Sequence, residues 1–304
     1  MQTRSLVSRA RPFESYTEAL QRIEALQFSE ETALLNPVSR LMLLSHGQKA
    51  ARSVVFFHSY TNSPQQFVTL AQQCYERGFN VLVPRAPHHG LAERLTNETA
   101  QLTAEELAVY ADLAVDIAHG LGEQVVIAGL SMGGVLTAWL AQQREDITLG
   151  LILSPAFSVR ALPTRFARLA AELIQLAPDT FRWWDPVLKN TDLPPLHAYP
   201  RFSMHGLTQI MRLGFAMQAM SQVSKPAARQ VCLILNANDD AVDNVLSQGI
   251  FKNWISAGAE NASCYTFSAE LDLPHDYIDP IQLNQDINKT YPTLLDLMEG
   301  RTPS

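Results

Sequence analysis

Short apolar runs alternate along the chain with longer stretches of helical spacing. Asn80-Val81-Leu82-Val83, Gln124-Val125-Val126-Ile127-Ala128, Leu149 to Leu153, Val231 to Leu235 and Cys264 to Phe267 are apolar and rich in β-branched residues, without polar alternation. Strands of that pattern are covered on both faces, as in a parallel sheet. Between them, Phe67 to Arg77 reads as a helix closed by Gly78. Thr103-Ala104-Glu105-Glu106 is a capping-box start for a helix running to His119 and ended by Gly120. Val135 to Gln143 reads as another helix, and Thr17 to Leu26 as a helix near the start. Leu41-Met42-Leu43-Leu44, then His46-Gly47, then Ser53 to Phe57 reads as a hairpin. The alternation of strand and helix predicts an α/β fold with a mostly parallel central sheet and helices on both faces.

Residues 156–229 break this rhythm. They offer helices and no convincing strand. Leu162, Phe166, Leu169, Leu173 and Leu176 recur at helical spacing. Trp183-Trp184-Asp185-Pro186 and Leu193-Pro194-Pro195 separate them from a second apolar stretch carrying Phe202, Leu207, Ile210, Met211, Phe215, Met217 and Met220. The chain therefore divides into a first core part (1–155), a helical cap insertion (156–229) and a second core part (230–304).

At 304 residues and 47% hydrophobic content, the chain can bury one sizeable α/β domain with an insertion. The formal net charge of -7 argues against a nucleic-acid partner. Arg4, Arg9 and Arg11 cluster near the start and read as a solvated tail. The three cysteines, Cys74, Cys232 and Cys264, show neither metal spacing nor an even disulfide framework. Cys232 and Cys264 fall in strands expected to be buried, where cysteine is an apolar filler. With no secretory signal and no uninterrupted apolar span, a cytoplasmic chain without a membrane span is expected.

The chemistry concentrates at Gly129-Leu130-Ser131-Met132-Gly133. A strand precedes this stretch and a helix follows it, so Ser131 stands at the apex of a sharp turn. A serine hydroxyl attacks only when a base takes its proton and fixed donors meet the developing anion. Gly129 and Gly133 carry no Cβ to obstruct such a turn. An acid and then a histidine should follow at the ends of later strands. Val231 to Leu235 leads into Asn236-Ala237-Asn238-Asp239-Asp240, and Cys264 to Phe267 leads to Leu273-Pro274-His275-Asp276. Asp239 and Asp240 are both open as the acid.

With Phe57-His58-Ser59-Tyr60-Thr61-Asn62-Ser63-Pro64, Gly129 to Gly134, Asp239 to Asp243 and Leu273 to Asp276, the sequence resembles the α/β-hydrolase family, and within it bacterial carboxylesterases and monoacylglycerol lipases. The resemblance runs from Val54 to the C-terminal helix and is weaker between Phe157 and Arg229. It implies an α/β-hydrolase fold, an acyl-ester substrate and no cofactor. It implies Ser131 as nucleophile, His275 as general base and Asp239 as the acid, with Asp240 adjacent. The implied oxyanion donors are the N–H groups of Tyr60 and Met132. Two departures stand beside the site: His58-Ser59 where the family usually has His-Gly, and Pro87-His88-His89-Gly90 where it often has Pro-Gly-His-Gly.

Candidates for substrate contact are His58 and His88 from the loops, and Trp183, Met204 and Met211 from the insertion. The alternative for each is packing or loop bracing. Adjacent His88 and His89 point different ways and no carboxylate stands at ligand spacing beside them, so no metal site is expected. His119, His197 and His205 read as helix-end or cap residues; Asp243, Asp272 and Asp276 read as loop and helix-capping groups. A serine esterase or lipase is the leading expectation. A thioesterase, acyltransferase or peptidase with the same triad, or a non-catalytic binding protein on this fold, remains open.

Overall fold

Burial on both faces dictates where most of the continuous apolar runs go: four of the five form inner strands of one sheet, and Cys264 to Phe267 lies at its edge. The computed structural model describes residues 6–301 except 32, 161–165, 185–186, 188, 190–194 and 284. Arg4, Leu162, Asp185, Pro186, Leu193 and Pro194 lie outside the described residues. In the seven-stranded sheet, β1 (Met42–Leu44), β2 (Ala50–Phe57), β3 (Phe79–Val83), β4 (Gly122–Leu130), β5 (Leu149–Leu153), β8 (Val231–Asn236) and β9 (Ala262–Phe267) lie in the order β1-β3-β2-β4-β5-β8-β9. All neighbours run parallel except β1, which is antiparallel to β3.

Successive strand residues feed opposite faces. Val55 and Phe57 join one core with α1 (Tyr16–Glu31), α3 (Ala104–Leu121), α4 (Met132–Gln143), α6 (Met204–Ser221) and α7 (Asn244–Ser256). Val54 and Phe56 join the other with α2 (Val68–Glu76) and α8 (Tyr291–Met298). The capping box forms as the sequence predicts: Glu106 N–H donates to the Thr103 hydroxyl, and Thr103 N–H donates to the Glu106 carboxylate.

The structure differs from four of these expectations. The hairpin of β1 and β2 does not form. Both sides of β2 are taken by parallel partners, β3 and β4, so β1 crosses to the outer side of β3 with Met42 opposite Val83. Gly120 does not end α3, which continues to Leu121. Its missing Cβ instead admits α1, since a Cβ there would stand 2.6 Å from Ala19 Cβ and from Ser15 O.

The insertion contains α5 (Ala167–Leu176), α6 and two short antiparallel strands, β6 (Phe181–Trp183) and β7 (Arg201–Ser203). Three residues are too few to show strand periodicity. What marks the pair is the Arg201 guanidinium over the Phe181 ring at 4.6 Å. The apolar stripe of α5 faces outward: Phe166, Leu169, Leu173 and Leu176 are 52%, 57%, 58% and 85% exposed, while Ala167 and Ala171 face inward. Spacing shows that a helix has an apolar side but not what the side meets. Cys264 is exposed because β9 is an edge strand, whereas Cys232 on β8 is buried. No helix among the described residues is long and apolar enough to cross a membrane.

The turn between β4 and α4 packs closely against the end of β2. A Cβ on Gly133 would stand 1.9 Å from the Phe57 carbonyl oxygen, and one on Gly129 would stand 2.3 Å from the Gly133 carbonyl oxygen. These are backbone atoms and cannot swing aside. Gly133→Ala is expected to cost at least about 3 kcal/mol of stability in denaturant unfolding, or to give insoluble protein. An unchanged unfolding midpoint would show that β2 and α4 are not pinned together there.

Candidate active site

Parallel strands deliver their C-terminal loops to one edge of the sheet. Here the register is nearly flush: Phe57 lies opposite Gly129, Leu130 opposite Leu153, Leu153 opposite Ile234 and Asn236 opposite Phe267. The loops after β2, β4, β8 and β9 carry His58 to Tyr60, Ser131, Asp239 and His275 to that edge.

Ser131 has φ +60° and ψ -111°, a conformation that costs a non-glycine residue about 1–3 kcal/mol. Backbone bonds hold it there. Ser131 N–H donates to Leu153 O, and Ser131 O accepts from the N–H groups of Val135 and Ala156, each at 3.0 Å. Met132 is buried and opens α4, so its N–H lacks an intrahelical acceptor.

His275 meets Asp239. Its Nδ1–H donates to both carboxylate oxygens, at 2.9 and 2.8 Å. That bond puts the proton of the neutral ring on Nδ1 and leaves the lone pair on Nε2. Asp239 is 4% exposed and its Oδ1 also accepts from the N–H groups of Ala241 and Val242. Asp240, one residue on, is exposed. Between the two acids left open by the sequence, the fold turns Asp239 toward the imidazole. Burial raises the Asp239 carboxyl, but the His275 charge and hydrogen bond outweigh it, so its pKa lies below the ordinary value. Burial disfavours charge on His275, yet the Asp239 carboxylate overcomes this and raises the imidazole above its ordinary value.

Tyr60 is buried; its hydroxyl donates to Ser203 O at 2.9 Å, its carbonyl accepts from His89 Nε2, and its ring packs edge-on to Phe202. Ser59 does not occupy the left-handed region, so its Cβ is accommodated without strain. His88 does occupy it, at φ +63°, where a glycine would be free of strain.

Most residues expected to touch substrate are spent elsewhere. His58 is fully buried; its Nδ1–H donates to Ser59 O, and its Nε2 accepts from Ala86 N–H. Both ring nitrogens are thus used by the backbone, and burial holds its pKa well below the ordinary value, so His58 is a neutral brace. His88 turns its ring to Glu98, 3.1 Å from Nδ1, and Glu106, 3.5 Å from Nε2. Carboxylates therefore do stand beside this histidine, brought in from the segment that starts α3. No group of three or more His, Cys, Asp or Glu suited to a metal gathers among the described residues. Met211 is fully buried in the core, and Met204 packs against it. Trp183 lies on β6 with Arg201 above its ring, 5.9 Å from the centroid.

Three groups of contacts were not legible in the sequence. Asn236 Nδ2 donates to Leu273 O and Pro274 O, pinning the histidine loop to the end of β8. Trp184 Nε1–H donates to Thr61 Oγ1 at 2.7 Å, and Tyr199 N–H donates to Thr61 O at 2.7 Å, tying the insertion to the loop after β2. His197 Nε2 lies 2.8 Å from Asp279 Oδ2, both buried, joining the insertion to the histidine loop. Asn and Gln at strand ends are the only sequence signal for such pins, and it is weak.

Comparison with known proteins follows this geometry. The model of the alpha/beta hydrolase family matches residues 54–275. A thermostable monoacylglycerol lipase of Bacillus sp. (strain H-257) is 27% identical over 213 residues, 65% of this chain and 76% of that one. Among solved structures, one from a study of two metagenome-derived lipolytic enzymes, LipS and LipT, superposes with a TM-score of 0.64 at 18% identity, covering 88% of this chain and 100% of that one. The monoacylglycerol lipase of Paleococcus ferrophilus superposes with a TM-score of 0.64 at 17% identity, covering 86% and 99%.

The sign of the His275 shift depends on its partner. In an NMR titration the imidazole is expected to lose its proton above the ordinary value of about 6.5. Asp239→Asn removes the largest opposing charge and leaves burial against only the weaker pull of Asp276 and Asp240, so the midpoint should fall. A midpoint unmoved by Asp239→Asn would mean that the two groups are not paired in solution.

Proposed function

The chain belongs to the alpha/beta hydrolase family, and from that premise we propose that it is a serine hydrolase of carboxylic acyl esters, carboxylesterase or monoacylglycerol-lipase-like in kind. Ser131 is the nucleophile, His275 the general base and Asp239 the acid that orients it. The observation that carries this reading is the hydrogen bond from His275 to the buried Asp239 carboxylate at the sheet edge where Ser131 sits in its strained turn. Neither feature has a use in packing alone, since a buried carboxylate and a left-handed serine both cost stability.

In this reading neutral His275, its lone pair on Nε2, takes the Ser131 proton as the hydroxyl attacks the acyl carbonyl. Asp239 keeps the tautomer and stabilises the imidazolium that forms. The N–H groups of Met132 and Tyr60 receive the oxyanion; loss of one such donor typically costs about 3–4 kcal/mol of barrier. The imidazolium then protonates the leaving alcohol, and water repeats the sequence on the acyl-enzyme. The Bacillus monoacylglycerol lipase supports an ester substrate. The outward apolar face of α5 supports one with a lipid-like tail. No cofactor is required by this chemistry.

Ser131→Ala should leave the far-ultraviolet circular dichroism unchanged and reduce p-nitrophenyl ester turnover by at least about a thousandfold. Asp239→Asn should cripple turnover and Asp240→Asn should not; the reverse would move the role to Asp240. Near-normal turnover by Ser131→Ala would sink the assignment. A series of p-nitrophenyl esters, set against acyl-CoA thioesters and peptides, tests the substrate class: kcat/KM is expected to be highest for esters and to rise from acetyl toward medium chains. A strict preference for acetyl groups, or for thioesters or peptides, would overturn that reading.

A further inference from the structure

The loop proposed to supply the Tyr60 N–H and the loop that carries His275 come from opposite ends of the sequence, yet they share one carboxylate. Asp276 Oδ2 accepts from Gln66 Nε2 at 2.7 Å and from Asn62 Nδ2 at 3.1 Å. Its Oδ1 accepts from the N–H groups of Ile278 and Asp279 at 3.2 and 3.1 Å. Gln66 reaches the other way as well: its Oε1 accepts from Ser59 N–H at 2.8 Å, and its Nε2 donates to Ser59 Oγ at 2.7 Å. Gln66 is fully buried, so its amide, left without these partners, would be unsatisfied.

We propose that Gln66 and Asp276 are positioning residues, a side-chain bridge that holds Ser59-Tyr60 and His275 at a fixed separation across the site. The inference rests on the hydrolase reading above and deepens it. Asp276 is next to His275 in the chain, and Ser59 is next to Tyr60. Any shift of one loop is transmitted through two side chains to the other. Ser59 belongs to the same device, because its hydroxyl gives Gln66 a second contact that glycine could not offer. This half-buried carboxylate is costly to hold: desolvation and the Asp279 charge push Asp276 above its ordinary pKa, against the bonds from Gln66 and the two backbone N–H groups. The Asp239 carboxylate nearby is kept ionised by His275, whereas Asp276 faces only neutral amide donors among its hydrogen-bond partners. Ordinary loop capping would be served by the backbone bonds to Oδ1 alone.

The test is steady-state hydrolysis of a p-nitrophenyl ester by the whole chain as wild type, Gln66→Met, Asp276→Asn and the double variant, with melting temperatures alongside. Each single variant is expected to lower kcat at least about tenfold, since small misplacements of reacting groups are that costly. KM should change less than about threefold, because the bridge does not touch substrate. The double variant should lose no more than the worse single one, as two halves of one bridge do. Gln66→Glu gives a second readout. It sets a carboxyl against the Asp276 carboxylate, and the pair must share a proton to restore the bond. Its kcat relative to wild type should therefore recover as pH falls from about 8 to about 6. Unchanged kcat in Gln66→Met and Asp276→Asn, an additive double variant, or losses that follow melting temperature with no pH recovery in Gln66→Glu would overturn the bridge alone. A wild-type chain that neither turns over esters nor reacts with a fluorophosphonate at Ser131 would remove the hydrolase reading, and the bridge with it.

Discussion

The contact between Gly133 and the Phe57 carbonyl oxygen is the constraint from which the site follows. It brings the first turn of α4 directly against the end of β2, with no room for even a methyl group. Ser131 then has nowhere to go but into its left-handed conformation, which lifts it off the sheet at the start of a helix. The same contact sets the loop after β2 beside the helix N-terminus, where free N–H groups favour negative charge. One steric fact thus sets both the elevation of Ser131 and the approach of the loop carrying Tyr60.

Electrostatics at this edge divides between a buried carboxylate, Asp239, and a half-buried one, Asp276, of opposite character. Asp239 faces an imidazole and is pulled below its ordinary pKa; Asp276 is pushed above its own by desolvation and the Asp279 charge, against the amides that bond it. A carboxylate paired with a titratable base can stabilise a charge that appears during reaction. One saturated by neutral donors cannot change its charge without breaking several bonds, and so serves geometry. The same contrast separates the histidines: His275 keeps Nε2 free of the backbone contact that occupies both nitrogens of His58.

The elements legible in the sequence were those whose local pattern is also their tertiary role. β4 and β8 read correctly because continuous apolar residues are what a strand covered on both faces requires. Ser131, Asp239 and His275 read correctly as strand-end residues because the fold lines up its strand ends. The failures all involve a choice that local pattern does not encode. The β1 run of Met42 to Leu44 shows a strand but not which neighbour it takes. Leu169 and Leu173 show an apolar helix side but not whether core or solvent lies beyond it. Gly120 signals a special position, and only the packing of α1 shows that the reason is close approach. Gln66 and Asn236 carry no pattern at all, because one long-range hydrogen bond leaves no periodic trace.

The insertion between β5 and β8 is not an independent lid. Thr61 receives Trp184 Nε1–H on its hydroxyl and Tyr199 N–H on its carbonyl, Tyr60 donates its hydroxyl to Ser203 O, and His197 meets Asp279. Gly206 lets the start of α6 come down on this contact, since a Cβ there would stand 2.1 Å from the Tyr60 hydroxyl. To move β6 and β7 away from the sheet edge is therefore to pull on the residues flanking the Tyr60 N–H and on the loop after His275. The placing of the insertion and that of the loops around Ser131 therefore rest on the same contacts.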